Sequence, residues 1–302
     1  MASTTTDIAV TPEPEVITAR RPAGALLRSA ARLWRTRIGL ALVVLLVAVA
    51  LFGPFFAPHS PTDFVGAPNT GPSDVARFGT DHIGQDVWSR FLWGGREVLG
   101  MAVAATAIGL ILGGLIGLIA AYSRNVLDDI LMRAMDVILA FPQIMLALVA
   151  IATVGPQTWL IILTVGLTTM PRVARVARGA AQPIVERDFV AAAEALGVPR
   201  FRILGREVLP NVLSPLLVEA NLRLTYAVAL IASLAFLGFT PTPNGADWGL
   251  MIQENQVALG TNQPWGVVLP MLAIALLTVG TGLVADGFAR AAAGIDRSRG
   301  AE

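Results

Sequence analysis

Long apolar segments that hold few charged residues recur along the chain, and they limit what it can fold into. The segments cover residues 38–57, 98–122, 136–153, 159–178, 211–239 and 265–285. Runs of this length and composition are typical of transmembrane helices. The composition agrees, because 55% of the 302 residues are hydrophobic, only 14% are charged, and the mean hydropathy is +0.67. We therefore predict an all-α, polytopic membrane protein with six transmembrane helices.

The arginines give the orientation of these spans. Arginines are concentrated before the first span, at the end of the fourth and after the sixth, and cytoplasmic segments carry such an excess. We predict a partly disordered cytoplasmic tail over 1–37, a membrane domain over 38–289 and a cytoplasmic tail over 290–302. The first span is interpreted as an uncleaved anchor, because its apolar run is long and Pro58 follows the position that resembles a cleavage site.

Three absences from the sequence exclude whole classes of chemistry. All 22 basic residues are arginine, so no lysine is present for a Walker A phosphate loop, and nucleotide chemistry must come from another chain. The absence of cysteine removes disulfides, thiolate zinc sites and cysteine nucleophiles. The two histidines, His59 and His82, lie outside the spans and lack metal-binding spacing. A soluble metalloenzyme and a membrane-embedded hydrolase both fit poorly.

Small residues, proline and arginine mark expected features of the membrane domain. The second span carries glycines at small-xxx-small spacing, which favours close helix packing over random placement toward lipid: Gly109, Gly113, Gly114 and Gly117. Pro142 should kink the third span. Three arginines at the end of the fourth span share one face and either reach lipid headgroups or meet an acidic partner: Arg172, Arg175 and Arg178. An external segment, 247–253, is expected as a short amphipathic helix at the membrane interface.

A polar, arginine-dotted segment, residues 188–211, separates the fourth and fifth spans on the cytoplasmic side. We expect Asp188 to cap a short helix that Gly197 and Pro199 end, and a second short helix to run to Leu209 before Pro210. A loop that only reconnected two spans could be far shorter. The segment is therefore interpreted as a docking element.

Polar residues also occur inside the fifth span, where an ionisable group costs at least about 2.5 kcal/mol unless it is paired or hydrated. They are Glu219, Asn221, Arg223, Thr225 and Ser233. Glu219 precedes Arg223 by one helical turn, the favourable order for an ion pair within the helix. Two interpretations stay open: a structural ion pair, or residues that line a translocation pathway.

The segment between the fourth and fifth spans resembles the coupling loop of ABC-importer permeases, a Glu-Ala-Ala-x-x-x-Gly motif followed by Leu-Pro. The matching residues are Ala192, Ala193, Gly197, Leu209, Pro210 and Asn211. Residues 78–90, 132–142 and 235–238 resemble motifs of C-type permeases of the dipeptide, oligopeptide and nickel group. Four motifs in the right order make the resemblance specific, and it covers nearly the whole chain after the N-terminal tail.

The resemblance implies a type I ABC importer permease fold with cytoplasmic coupling helices, in a bacterial inner membrane. The chain would be a non-catalytic subunit that forms half of a translocation pathway for di- or oligopeptides. Nickel or another small solute is the alternative substrate, and a secondary carrier is the weaker alternative, since it would not need the coupling segment. The chain itself would hold no cofactor, because ATP and Mg would be bound by one or two partner ATPase subunits. A B-type permease and an extracytoplasmic substrate-binding protein would complete the assembly within the lipid bilayer, and no nucleic acid is implied.

The resemblance assigns ATPase coupling to the 188–209 loop. The residues concerned are Ala192, Ala193, Glu194, Ala195, Leu196, Gly197, Arg200, Phe201, Leu209 and Pro210. The chain departs from the family pattern at three positions: Ala191 replaces the motif glutamate, Gln85 a usual arginine and Glu207 a common histidine. Glu194 lies on nearly the same helical face as Ala191, so it either substitutes for the missing glutamate or is a solvated helix residue.

Overall fold

A computed structural model describes residues 29–123, 125–242, 245–260 and 263–293 of the chain. Helices make up nearly all of the regular structure in these ranges. In chain order they are α1 (Trp34–Phe56), α2 (Val87–Ser123), α3 (Val126–Leu139), α4 (Gln143–Val154), α5 (Thr158–Val185), α6 (Asp188–Ala195), α7 (Arg200–Ile203), α8 (Leu209–Phe236), α9 (Trp248–Glu254) and α10 (Trp265–Ala293). Among the described residues, five helices are long and apolar enough to cross a membrane, and α3 with α4 adds a sixth if the bent pair is one span.

The third predicted span is two helices instead of one. Helices α3 and α4 meet at an angle of 78° across a break that ends at Pro142, so the kink expected there is confirmed and is large. The third span was predicted to begin at residue 136, but helix α3 already begins at Val126. Asn125 caps it by accepting a hydrogen bond from the backbone N–H of Leu127 at 3.2 Å, and acidic residues in the first turn complement the helix dipole.

The segment between α5 and α8 differs from the prediction at both of its ends. Asp188 is the first residue of α6 and not its cap, since Arg187 occupies the N-cap position without a side-chain hydrogen bond. The second helix does not end before Pro210: a π-helical turn, Leu204–Val208, joins α7 to α8. In this wider turn the Leu209 N–H bonds to the Leu204 carbonyl, and the changed register accommodates a proline that has no N–H to donate.

Helices α2 and α5 pack at a distance that only glycine allows. A Cβ atom at Gly113 would lie 2.5 Å from the Met170 carbonyl oxygen, and one at Gly117 would lie 2.3 Å from that of Ala174. Gly109 is equally restricted, with the Thr169 hydroxyl 2.2 Å from such a Cβ. The predicted close packing is therefore confirmed for these three glycines. A Cβ at Gly114 would meet no described atom within 4 Å, so this glycine takes no part in the contact.

The short helix expected at 247–253 is present as α9, and its apolar face packs against the membrane domain. Trp248 and Met251 have no exposed surface, and a Cβ at Gly249 would lie 2.4 Å from the Ala232 carbonyl oxygen of α8. Together with residues 57–86, residues 245–260 form a region at one end of the bundle that we call the polar cap. The 188–209 loop lies at the opposite ends of α5 and α8.

Candidate functional site

The 188–209 loop turns sharply at Gly197, whose φ is +74°. Two backbone hydrogen bonds close the end of α6: Gly197 N–H donates to the Glu194 carbonyl at 2.9 Å, and Val198 N–H donates to the Ala193 carbonyl at 3.1 Å. This is the Schellman arrangement, in which glycine is favoured because a side chain strains the left-handed backbone. The corner predicted at Gly197 is therefore confirmed, with its shape set by backbone bonding.

The inner face of the loop is anchored in the membrane domain. Val190, Ile203 and Val208 are fully or almost fully buried, with exposed fractions of 1%, 0% and 0%. They belong to one apolar cluster with Ala177 and Ile184 of α5. Burial of such side chains stabilises by about 1.5–3 kcal/mol each, so the loop is held firmly against the helices that it packs on.

The outer face of the loop exposes large apolar side chains. Leu196 is 83% exposed and Phe201 is 74% exposed, on either side of the Gly197 corner. Ala192 and Ala195 are also exposed, and their small side chains add little bulk next to Leu196 and Phe201. Val198, between them, is half-buried against the apolar cluster of its own chain. An exposed apolar patch on a rigid support is typical of a protein–protein contact.

Glu194 makes a contact within its own chain. Its carboxylate accepts a hydrogen bond from the hydroxyl of Tyr122 at the end of α2. The guanidinium of Arg200 lies 5.9 Å from the centroid of the same tyrosine ring, which is a cation–π distance. Tyr122 thus links α2 to both helices of the loop. The sequence interpretation missed it, although a tyrosine at the end of a predicted span is a position where an amphipathic ring is expected.

Two of the three arginines at the end of the fourth span, Arg175 and Arg178, pair with carboxylates of the same chain. Arg178 binds Asp128 with both ends of its guanidinium, through Nε to Oδ1 at 2.6 Å and Nη2 to Oδ2 at 2.5 Å. Arg175 pairs with Asp136. Both carboxylates lie on α3, Asp128 in its first turn and Asp136 in its last, so the two pairs fasten α3 to α5 along the length of α3.

The ion pair predicted within the fifth span is confirmed. Arg223 Nε lies 2.8 Å from Glu219 Oε1, and each side chain is only 8% exposed. The guanidinium also lies 5.0 Å from the centroid of the Tyr226 ring. The pair lowers the cost of holding either charge inside α8.

The other polar side chains of α8 bond to backbone carbonyls. Asn221 donates to the Thr281 carbonyl at 3.1 Å and so links α8 to α10. Thr225 donates to the Asn221 carbonyl at 3.1 Å, and Ser233 donates to the Ala229 carbonyl at 2.7 Å. These bonds give each group a structural partner within the chain.

Arg90 is the centre of the polar cap. Its side chain is 1% exposed and forms ion pairs with Asp81 and with Glu254 of α9, the latter at 2.9 Å. Its Nη2 also donates to the Gly245 carbonyl at 3.0 Å. Burial raises the pKa of Glu254, and the adjacent Arg90 opposes that rise. The sequence pointed to residues 78–90 but not to Glu254, because no local spacing connects the two segments.

Two aspartates fix helix ends in the polar cap. Asp86 precedes α2 and accepts hydrogen bonds from the Ser89 N–H at 3.0 Å and the Ser89 hydroxyl at 2.6 Å. Asp247 caps α9, where its Oδ1 accepts from the Gly249 N–H at 2.7 Å and the Leu250 N–H at 3.1 Å. Burial raises the pKa of Asp247 to about 7. The motif of residues 78–90 is thus a structural element that joins the polar cap to α2.

The chain was compared with known families and proteins. Residues 113–293 match the binding-protein-dependent transport system inner membrane component, and residues 36–72 match the N-terminal transmembrane domain of oligopeptide transport permease C. A di/tripeptide transport system permease protein, DppC, of Pseudomonas aeruginosa is 35% identical, over 82% of this chain and 84% of that protein. The dipeptide transport system permease protein DppC of Alkalihalophilus pseudofirmus is 31% identical, over 83% and 82%.

A third relative is the glutathione transport system permease protein GsiD of Pectobacterium atrosepticum, 31% identical over 81% of this chain and 82% of that protein. The family match covers more than half of the chain, and the relatives align over most of its length. The chain belongs to the family of inner-membrane components of binding-protein-dependent transport systems, the permease subunits of ABC importers.

Proposed function

We propose that this chain is the C-type permease of a bacterial peptide importer and forms half of a pathway for di- or oligopeptides. Family membership makes it a non-catalytic subunit. The peptide assignment is supported by the dipeptide and di/tripeptide permeases among its relatives and by the match of residues 36–72. Those relatives do not favour the nickel or small-solute alternative. The arginine distribution supports an inner-membrane location with both termini in the cytoplasm.

The partners follow from what the chain lacks and what it exposes. Without a lysine for a phosphate loop, it needs a separate ATPase to bind ATP and Mg. The exposed pair Leu196 and Phe201, carried on an anchored loop, is the observation that carries the proposal of an ATPase contact. A B-type permease would supply the other half of the pathway, and an extracytoplasmic binding protein would deliver the substrate at the polar cap.

The connection from the loop to the pathway is continuous helix. Residues 200–236 run without a break from α7 through the π-turn into α8. A displacement of the exposed corner therefore moves α8 directly, together with the Glu219–Arg223 pair that it carries. Such rigid-body movement is one of the ways in which a domain movement reaches a distant site.

The proposal is tested by placing charge on the exposed patch. The double variant Leu196→Asp and Phe201→Asp should lose co-purification of the ATPase subunits and the ATPase activity stimulated by the loaded binding protein. Val257→Asp is the matched control for ATPase co-purification, because this side chain is 87% exposed but lies in the polar cap, away from the loop. Normal ATPase binding by the double variant would contradict the proposal. Mass spectrometry of the molecules carried by the cognate binding protein then tests the peptide assignment separately.

A further inference from the structure

An apolar groove of about 550 Å³ opens on the surface of the membrane domain between α1, α2, α8 and α10. Its walls include Val47, Gly100, Val228 and Leu277, one from each helix. Among the described residues that line it, Arg96 is the charged one. A groove of this size falls in the range that holds small ligands.

Arg96 lies beside Pro54 of α1 and bonds to the backbone of the preceding turn. Pro54 has no N–H, so it leaves the Ala50 carbonyl without its partner inside the helix. The Arg96 Nε donates to this carbonyl at 3.1 Å, and Nη2 donates to the Leu51 carbonyl at 2.6 Å. The guanidinium also lies 5.7 Å from the centroid of the Trp93 ring.

These contacts use two of the three guanidinium nitrogens. The Nη1 group makes no hydrogen bond with the residues that the structure describes, and none of their carboxylates forms an ion pair with Arg96. The side chain is exposed at the rim of the groove. A positive charge with free N–H donors is thus presented where the apolar surface begins.

The length of the groove is comparable to most of one membrane leaflet. Its wall on α2 extends from Arg96 to Ala104, about 12 Å at about 1.5 Å per residue. Half of a hydrocarbon core of about 30 Å is about 15 Å. The second span is predicted to begin at residue 98, next to Arg96, so we expect the groove to start near the membrane boundary and to extend toward the middle. A cation at the mouth and an apolar wall below it match the two parts of a phospholipid: a phosphate and an acyl chain.

We infer that this groove is a binding site for a single phospholipid, with an acyl chain against α2 and α8 and a phosphate oxygen on Arg96 Nη1. The bound lipid would fill the space between α1 and the helices behind it and would neutralise the charge of Arg96, which bonds to backbone carbonyls near Pro54. The inference concerns the lipid-facing surface and does not depend on the transported substrate.

Gly100 allows the site to be blocked without disturbing these contacts. A Cβ at Gly100 would meet no described atom within 4 Å, so Gly100→Leu should fill the groove and leave the Arg96 bonds to α1 intact. Gly114→Leu is the matched control, because it makes the same change on the same helix, also with no described atom within 4 Å, but outside the groove. The complex that contains this chain would be purified from membranes and its retained phospholipid measured by native mass spectrometry.

The unaltered and Gly114→Leu complexes should retain one phospholipid per copy of this chain, and Gly100→Leu should lower that occupancy at least about tenfold. Arg96→Gln should lower it as well, because the phosphate contact is lost. Equal retention by Gly100→Leu, or no retention by the unaltered complex, would overturn the inference.

A second measurement identifies what covers the groove. Since the chain has no cysteine, Val103→Cys offers a unique position at the groove for a photoactivatable maleimide. In nanodiscs of phosphatidylethanolamine and phosphatidylglycerol, a lipid adduct on this cysteine is the expected product. A cross-link to another protein subunit would show that protein covers the groove, and would overturn the inference.

Discussion

Arg90 and Glu254 form a buried ion pair, 2.9 Å apart, that joins the start of α2 to the end of α9. The pair closes the polar cap onto the membrane domain, and Asp81 and the Gly245 carbonyl complete the surroundings of the guanidinium. Because Arg90 is 1% exposed, water cannot replace a partner that is removed.

Removing the charge of Glu254 should therefore destabilise the cap. We expect Glu254→Gln to lower the stability by about 1–3 kcal/mol, the usual cost of leaving a buried group unsatisfied, measured as a lower unfolding temperature of the purified complex. Asp74→Asn is the control, since this carboxylate lies in the same region but is exposed. An unfolding temperature equal to that of the control would refute the role assigned to the pair.

The buried cap of α9 should give the protein an unusual dependence on pH. The pKa of Asp247 rises from 3.8 to about 7, mainly through burial, with Glu97 and Glu254 adding to the rise. The folded state therefore binds this proton more tightly than the unfolded state, and the associated stability is complete below about pH 4 and is lost as the pH rises through about 7. At about 1.4 kcal/mol per pKa unit, this contribution is at most about 4 kcal/mol.

Asp247→Asn should remove that dependence, because asparagine still caps a helix and carries no charge. The variant should unfold at a higher temperature than the unaltered protein at pH 8, and the two should converge below about pH 4. Thermal unfolding followed by circular dichroism at both values would check this. If the variant is less stable at pH 8, the ionised Asp247 stabilises the start of α9 by more than its burial costs, and the prediction is contradicted.

The contact between α2 and α5 predicts a contrast between two neighbouring glycines. Gly113→Ala should cost about 1–3 kcal/mol, because its Cβ would lie 2.5 Å from a backbone carbonyl and the helices must separate. Gly114→Ala should be neutral or stabilise by up to about 1 kcal/mol, since alanine favours helix and meets no described atom within 4 Å. The prediction is checked by measuring the unfolding temperatures of the two variants. Equal unfolding temperatures would contradict the close packing proposed at Gly113.

At Gly197, we expect the size of a substituted side chain to affect ATPase coupling more than the backbone strain that any side chain would cause. Gly197→Ala and Gly197→Trp both place a side chain at a φ of +74°, and a Cβ there meets no described atom of this chain within 4 Å. If the corner fits into an ATPase, the tryptophan variant should lose transport-coupled ATPase activity at least about tenfold more than the alanine variant. Equal activities in assembled complexes would argue against a close fit.

The hydrogen bond between Tyr122 and Glu194 allows two roles of this glutamate to be tested: holding the loop within its own chain, or contacting the ATPase. If Glu194 acts by holding the loop, Tyr122→Phe should reproduce most of the loss of coupled ATPase activity in Glu194→Ala, and the double variant should add little. We expect this result, because the carboxylate is already bonded within its own chain. Normal activity in Tyr122→Phe with a loss in Glu194→Ala would assign Glu194 to the ATPase contact instead, and unchanged activity in Glu194→Ala would remove both roles.

Features that depend on local chain physics could be predicted from the sequence. Long apolar segments must be helical in a membrane, because the backbone has no water to bond with. The Gly197 turn and the Glu219–Arg223 pair were also predictable, since both are formed by residues within a turn or two of helix. Local reasoning failed at Pro210, where a proline normally marks a helix end but the π-turn changes the hydrogen-bonding register and the helix continues.

Only the tertiary structure decided which side chains meet across the chain. Arg178 was expected to reach headgroups or an acidic partner, and its partner is Asp128 on α3. Arg90 pairs with Glu254, which is distant in the sequence. Arg96 donates a hydrogen bond to the Ala50 carbonyl, which Pro54 leaves without a partner in the helix. The pattern of a helix shows which of its faces is apolar or charged, but the partner of that face depends on how the helices pack. The sequence thus determined the helices and their polar interruptions, whereas helix packing determined the ion pairs, the anchored loop and the groove.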